Sequence, residues 1–123
     1  MPGLRQPGGH REVVALTASV TLTNYDIGKR FTNRGASGAV TVTLPAPDAI
    51  NAGGEIVFGV VADQNFIVTT SDKLVIVNDA AADSISAQTS SEKIGAVFAV
   101  WSDGTSWFAE NRSVGANTVT TAT

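Results

Sequence analysis

Few residues in this sequence could do catalytic chemistry, and their spacing forms none of the common catalytic sites. The only histidine, His10, lies in a segment rich in proline and glycine, which cannot hold a general base rigidly. Ser37 stands in Gly35-Ala36-Ser37-Gly38, which lacks the G-x-S-x-G spacing of a nucleophile elbow. Cysteine is absent, which excludes thiol nucleophiles, thiolate metal sites and disulfides. We therefore expect no catalytic residues, and we expect that the protein is not an enzyme.

The acidic residues are spread over predicted turns, where an aspartate side chain accepts hydrogen bonds from its own backbone. Asp79 and Asp83 form the nearest cluster, but the sequence contains no D-x-D-x-D-G run of the calcium-loop kind. The pair Gly53-Gly54 precedes a predicted strand rather than a helix, so it does not indicate a phosphate site. The sequence therefore predicts neither a metal site nor a cofactor.

Composition and charge argue against nucleic acids and membranes as partners. The 123-residue chain has a formal net charge of −3 at pH 7, whereas nucleic-acid binding requires several clustered Lys or Arg residues. The longest apolar stretches, Ile56 to Ala62 and Ile94 to Trp101, are far shorter than the roughly 20 residues of a membrane-spanning helix. The first dozen residues lack the apolar core of a signal peptide. We expect synthesis in the cytoplasm, with no membrane segment.

From Val13 onward the chain consists of short runs rich in Val, Ile, Thr and Phe, separated by Gly, Asp, Asn and Pro. In Val20–Thr23 and Val40–Leu44 apolar residues alternate with threonines, which is typical of half-buried strands. Asp103-Gly104 between two such runs indicates a hairpin. The nine predicted strands are 13–23, 28–33, 39–44, 55–61, 65–69, 74–77, 85–89, 94–101 and 106–110.

This pattern predicts an all-β fold, specifically an antiparallel β-sandwich or jelly-roll-like barrel. We divide the chain into an extended N-terminal arm (1–12), a β-sandwich domain (13–112) and an extended C-terminal tail (113–123). Two short segments, 79–83 and 47–52, could each form one helical turn at most. The predicted core comprises Val20, Leu22, Phe31, Val42, Leu44, Ile56, Phe58, Phe66, Val68, Leu74, Ile76, Phe98 and Val100.

Three aromatic residues, Trp101, Trp107 and Phe108, border the predicted Asp103-Gly104 hairpin. They have three possible roles: they close the end of the core, they contact another subunit, or they form a platform on which a sugar stacks. The sequence leaves these alternatives open, and we take Trp101 and Trp107 as candidate interface residues.

The N-terminal arm supplies the other candidate interface residues. Leu4 is its only sizeable apolar side chain after Met1, and Arg5, His10 and Arg11 form its local basic excess. The two arginines can pair with carboxylates on a partner, or they can simply be solvated. Because prolines and glycines prevent the arm from forming structure of its own, we expect the surface of another subunit to hold it.

Four stretches of the sequence carry a resemblance to a known group of proteins. They are Val20–Lys29, Thr41–Ala46, Gly54–Phe58 and Val100–Trp107. Together they resemble a β module that is common in tailed-bacteriophage virion proteins, and the resemblance covers residues 13–112. Within that group, a chain of this length with an extended arm is similar to small capsid decoration (cement) proteins.

The resemblance implies a structural virion protein that binds across neighbouring major capsid proteins and stabilises the capsid. It also implies a homotrimer on the capsid exterior, made in the host cytoplasm, without direct contact to nucleic acid. The alternative is a tail-fibre or spike module that binds a host surface glycan. Because the chain begins at a methionine and ends after a short tail, we expect the first reading; an enzyme such as a polysaccharide depolymerase is a distant third.

Overall fold

A computed structural model describes residues 11–88, 93–113 and 120–122 of the chain. Within these ranges the regular structure is β, apart from one turn of 3-10 helix at Asn24–Asp26. The ten strands are β1 (Val13–Ala15), β2 (Val20–Thr21), β3 (Arg30–Thr32), β4 (Val40–Thr43), β5 (Glu55–Gly59), β6 (Phe66–Ile76), β7 (Asp79–Ala87), β8 (Val97–Ser102), β9 (Trp107–Asn111) and β10 (Thr120–Ala122). The prediction of an all-β protein is confirmed.

The first six strands alternate between two walls of the fold. β1, β3 and β5 pair in parallel and form the first wall, whereas β2, β4 and β6 pair in parallel and form the second. The chain therefore completes one circuit with every two strands, one in each wall. Each circuit stacks on the next. Phe31 lies beside Phe58 in the first wall, and Val42 lies beside Val68 in the second. Because like residues stand side by side, the apolar positions of successive circuits meet in one interior.

The C-terminal strands join the two walls into a single sheet. β8 pairs antiparallel with β5, and β9 pairs antiparallel with β8 and parallel with the end of β6. β7 returns antiparallel along β6, and β10 pairs antiparallel with β7. The result is one curled, mixed sheet in the form of a half-barrel.

The direction of strand pairing differs from the prediction. Five of the nine pairings among the described residues are parallel, whereas an antiparallel sheet was predicted. Period-two alternation identifies the buried face of a strand but carries no information about the direction of its neighbour. Parallel partners need a long connection between them, and here the connections within each wall contain a strand of the other wall. The described strands form one continuous sheet, so a sandwich or jelly roll is not confirmed.

Several strand boundaries also differ from the prediction, among them that of 85–89, which belongs to the longer β7, and in two places the division into strands changes. The predicted strand 13–23 is divided into β1 and β2, because the chain turns at residues 16–19 and moves from one wall to the other. The predicted strands 65–69 and 74–77 belong to one strand, β6, whose pairing with β7 shifts register between them. The register shift is a local irregularity, and β6 stays paired with β7 on both sides of it.

The segment 79–83, considered for a helical turn, lies in β7. Asn78, with φ of 65°, stands in the short turn between β6 and β7, a conformation that asparagine adopts more readily than most residues. Within the predicted tail, Thr120–Ala122 forms β10. Residues 1–10 of the predicted arm lie outside the described residues.

The predicted core is confirmed. Eleven of the thirteen predicted core residues are buried, namely Leu22, Phe31, Val42, Leu44, Ile56, Phe58, Phe66, Val68, Leu74, Phe98 and Val100. The other two, Val20 and Ile76, are partly buried and pack against the same core. Phe58 in the first wall meets Phe66 in the second edge-on, with 5.8 Å between the ring centroids. The two walls therefore share one hydrophobic interior.

Candidate functional site

Three turns lie next to one another on one side of the fold, and they connect β2 to β3, β4 to β5 and β8 to β9. The N–H of Gly28 in the first turn donates to the carbonyl of Glu55 at 2.8 Å, and the N–H of Gly53 in the second donates to the carbonyl of Ser102 at 2.7 Å. We call the surface formed by these turns and the adjacent strand ends the turn surface, and it comprises residues 23–29, 45–54 and 101–108.

A buried asparagine holds the three turns together. The Asn51 side chain is almost fully buried, with 2% of its surface exposed. Its amide nitrogen donates to the side-chain oxygen of Asn24 at 3.0 Å and to the carbonyl of Ala46 at 2.9 Å. Its amide oxygen accepts from the N–H of Asp48 at 3.0 Å and from the hydroxyl of Ser102 at 2.8 Å. Buried polar groups with all their partners hold their surroundings rigid, so the turns have fixed relative positions.

The first turn presents a tyrosine to solvent. A capping box closes its 3-10 helix, since the Thr23 hydroxyl accepts from the N–H of Tyr25 and the Asp26 carboxylate accepts from the N–H of Thr23 at 2.9 Å. Lys29 donates to the same carboxylate at 2.9 Å. The Tyr25 side chain is 93% exposed. A large aromatic side chain is therefore held outward by an ordered turn.

The hydrogen bonds of this turn shift the pKa of the Asp26 carboxyl. Burial favours the neutral carboxyl, but the hydrogen bonds from the Thr23 N–H and from Lys29, together with the charge of Lys29, favour the carboxylate. The hydrogen bonds prevail, and the pKa of Asp26 lies below its ordinary value of 3.8. The pKa of Lys29 is correspondingly raised, mainly by its hydrogen bond to Asp26.

The first turn should therefore lose stability in acid. A carboxyl whose pKa is lowered in the folded state stabilises the fold fully above its ordinary pKa of 3.8. This stabilisation is lost as the pH falls through the folded-state pKa. In an NMR pH titration we expect the amide signals of Thr23 and Tyr25 to move toward disordered values below about pH 4. Asp26→Asn should abolish this dependence. Signals that stay constant down to about pH 2 would contradict the assignment.

The second turn presents an isoleucine beside the tyrosine turn. Ile50 is 82% exposed, although its backbone N–H donates to the Asp48 carboxylate at 2.9 Å. The same oxygen accepts from the N–H of Asn51 at 2.8 Å, and the other oxygen accepts from the Asn24 side chain at 3.4 Å. The backbone bond from Asn51 is the main reason why the pKa of Asp48 is lowered. A rigid turn again exposes a large apolar side chain.

The third apolar feature of the turn surface is a pair of rings on β8 and β9. Trp101 and Phe108 are directly opposite each other on the antiparallel strands, and their rings stack with 4.4 Å between centroids and 8° between planes. Trp101 is 37% exposed and Phe108 is partly buried. Of the three roles considered for these aromatics, the interface and the sugar platform remain open for this pair.

Trp107 has a different position from its two neighbours, and the structure corrects its assignment to an interface. Its side chain is fully buried, and its indole N–H donates to the carbonyl of Pro45 at 2.7 Å. Successive residues of a strand point to opposite faces, so Trp107 enters the core while Phe108 faces outward. Trp107 closes the end of the core, which was the first of the three alternatives.

Of the four candidate residues in the arm, only Arg11 is described. It is exposed and lines a cavity together with Lys29 and Arg30. Leu4, Arg5 and His10 lie outside the described residues, and their assignment to an interface stays a prediction.

Sequence reasoning missed Tyr25 and Ile50 as contact residues. A signal for the first was present, because Thr23 and Asp26 have the spacing of a capping box, which places Tyr25 on a short turn between two strands. For Ile50 the local signal is Asp48, two residues earlier, which forms a turn by accepting from the N–H of Ile50. No local signal places this turn beside the third turn, because the two are joined by the bond between Asn51 and Ser102, which are far apart in the sequence.

The described residues contain no group of three or more His, Cys, Asp or Glu side chains placed to hold a metal ion. No helix in the described ranges is long and apolar enough to span a membrane. Comparison with known protein families gives no match, and comparison with curated proteins likewise finds no similar sequence. The function must therefore be argued from the turn surface and the sequence resemblance.

Proposed function

We propose that the protein is a structural virion protein that decorates and stabilises a tailed-bacteriophage capsid by binding across neighbouring major capsid proteins. The observation that carries the proposal is the turn surface, on which Tyr25, Ile50 and Trp101 are exposed by turns that buried hydrogen bonds hold in place. Large aromatic and apolar anchors dominate binding at protein interfaces. Anchors that are already ordered lose little entropy on binding, which favours affinity.

Stabilisation of the capsid needs no chemical step. A decoration protein that contacts two or more capsid subunits binds only when those subunits have the correct spacing, and by mass action it favours the shell that has this spacing. We propose a homotrimer, because three linked copies of a modest surface bind together far more tightly than one copy does. The added contacts then resist the pressure of packaged DNA.

The test is a binding assay on empty mature heads, in which wild-type protein saturates the shell at a copy number that matches its symmetry. The double variant Tyr25→Ala/Ile50→Ala should bind at least about 30-fold more weakly, since the loss of even one interface anchor costs on the order of 2 kcal/mol. Its fold should be unchanged, because both side chains are exposed.

Val77→Ala is the matched control for this assay. Val77 is 82% exposed, like Ile50, but it lies in the turn between β6 and β7, outside the turn surface. We expect this variant to bind heads as the wild type does. Unaltered affinity of the Tyr25→Ala/Ile50→Ala protein would contradict the proposal, and a stable monomer in sedimentation at micromolar concentration would contradict the trimer.

The alternative is a tail-fibre or spike module that binds a host surface glycan, and the stacked pair of Trp101 and Phe108 favours it. Exposed aromatic rings provide the flat apolar surface on which a sugar ring can stack. Trp101 is the exposed tryptophan and Trp107 is buried, so acrylamide quenching of fluorescence reports on Trp101. Protection of Trp101 by host glycan, without any binding to heads, would favour the alternative.

A further inference from the structure

The outward face of the first wall carries two adjoining depressions. One has a volume of about 230 Å³ and is lined by three cationic residues, Arg11, Lys29 and Arg30, as well as by glycines and Glu55. The other has a volume of about 200 Å³ and is largely apolar. Arg30 and Val57 line both depressions, which therefore form one groove. We call it the wall groove; its basic half borders the turn surface at Gly28, Lys29 and Gly53, and its apolar half extends away from that surface along the first wall.

The basic half of the wall groove has an arginine available to a ligand. Lys29 is bound to Asp26 at 2.9 Å, and Glu55 is bound to Arg112 at 2.5 Å. The guanidinium of Arg30 is exposed and forms no ion pair with any residue that the structure describes. A guanidinium presents parallel N–H donors that match the two oxygens of a carboxylate. This half of the groove therefore suits a carboxylate.

The lining of the apolar half includes Gly59, a glycine that neither its backbone conformation nor its surroundings require. Gly59 is paired with Val97 of β8, and a Cβ atom added to it would meet nothing within 4 Å. Its backbone is not among those with positive φ. Glycine in a strand costs roughly 0.5–1 kcal/mol relative to alanine. No contact within the described chain offsets this cost, whereas close approach of another chain would.

The occupant is not a nucleic acid or a free phosphate. Polyanion binding requires a series of cations, and here one arginine without an ion pair stands beside the carboxylate of Glu55. A phosphate would also make no favourable contact with the apolar half of the groove. The combination of a cation with an adjoining apolar depression matches a protein segment that carries a carboxylate next to an apolar side chain.

A second copy of this chain is a poor source of such a segment. Four of its exposed large apolar residues have an aspartate one or two residues away in sequence, but each aspartate already accepts a hydrogen bond within the chain. Asp79, beside Val77, accepts from the N–H of Ala81. Asp26 accepts from Lys29, Asp48 accepts from the N–H groups of Ile50 and Asn51, and Asp103 accepts from those of Thr105 and Ser106. Glu12 adjoins the exposed Val13, but Val13 lines the wall groove itself and Glu12 pairs with Lys29 at 3.9 Å. We therefore place the carboxylate on a different protein.

We propose that the wall groove binds an acidic, apolar segment of the partner protein, with a carboxylate at Arg30 and an apolar side chain over Gly59. The inference rests on the proposed function in one respect, because it takes the major capsid protein as the partner. It assigns the chemistry of that partner: a surface segment in which Asp or Glu adjoins a large apolar residue.

The experiment compares two pairs of variants in head binding. Arg30→Glu should weaken binding at least about tenfold, whereas Arg34→Glu, with the same charge change at another exposed arginine, should stay within about twofold. Gly59→Val should fold with an unchanged or higher melting temperature, because valine favours strands and its space is open, yet it should bind at least about tenfold more weakly. Gly38→Val is its control, since Gly38 also has open space around it.

A second measurement does not depend on heads. An eight-residue peptide of alternating Glu and Leu should shift the NMR signals of Arg30 and Gly59, and the same peptide with Gln in place of Glu should not.

If the Glu/Leu peptide binds and heads do not, the groove is supported and the proposed function fails. If heads bind wild type and both groove variants equally and the peptide shifts neither residue, the groove proposal is overturned. If the groove variants reduce self-association instead of head binding, the occupant is a second copy and the assignment to the capsid protein is wrong.

Discussion

Replacing Phe58 by alanine should lower the free energy of unfolding by about 3–5 kcal/mol. The Phe58 ring is fully buried and stacks on Phe31 and Phe98, with 5.9 and 5.6 Å between the ring centroids. It also meets Phe66 of the second wall edge-on at 5.8 Å. The substitution removes three aromatic contacts and leaves a cavity between the two walls, which can collapse only if the walls move. Urea denaturation followed by Trp107 fluorescence measures the change.

Tyr25→Ala is the control for Phe58→Ala, because it also replaces an aromatic residue by alanine but removes a side chain that is 93% exposed. We expect a change of no more than about 0.5 kcal/mol for this control. A domain of this size has a stability of about 5–15 kcal/mol, so the loss at Phe58 is a large fraction of the total. A loss below about 1 kcal/mol at Phe58 would show that the walls do not share one core.

Asn51→Leu should destabilise the protein by about 3 kcal/mol or more, although leucine is close to asparagine in size and more apolar. The substitution removes a side chain that makes four hydrogen bonds, and it leaves the Ser102 hydroxyl and the Ala46 carbonyl without this partner. An unsatisfied buried polar group costs about 1–3 kcal/mol. The three turns also lose their common attachment, so head binding should weaken together with stability.

Asn111→Leu provides the matched control for Asn51→Leu. Asn111 is exposed at the end of β9, and its side-chain oxygen accepts a single hydrogen bond, from the N–H of Ser113. We expect a loss of no more than about 1 kcal/mol for this variant. Equal effects of the two substitutions in thermal or urea unfolding would mean that the network at Asn51 contributes nothing particular to the fold.

The sequence by itself determined which residues form the core. In β4 the apolar residues Val40 and Val42 alternate with threonines, and this period places the valines on one face of the strand wherever the partner strands lie. The Asp103-Gly104 turn is equally local, because Gly104 adopts a φ of 94° that most other residues avoid. Both features depend on neighbours within a few residues, so they could be predicted before the fold was known.

Only the tertiary structure decided the direction of pairing and the composition of both candidate surfaces. The same alternating strand can pair in either direction, and the choice depends on how the intervening chain crosses between the walls. Trp101 and Trp107 look equivalent in the sequence, yet one lies on the surface and the other in the core, because their register in the β8–β9 pair fixes which face each side chain occupies. The turn surface depends on Asn51 reaching Ser102, and the wall groove depends on Arg30 lying beside Val57. These contacts join distant parts of the chain, and no local pattern specifies them.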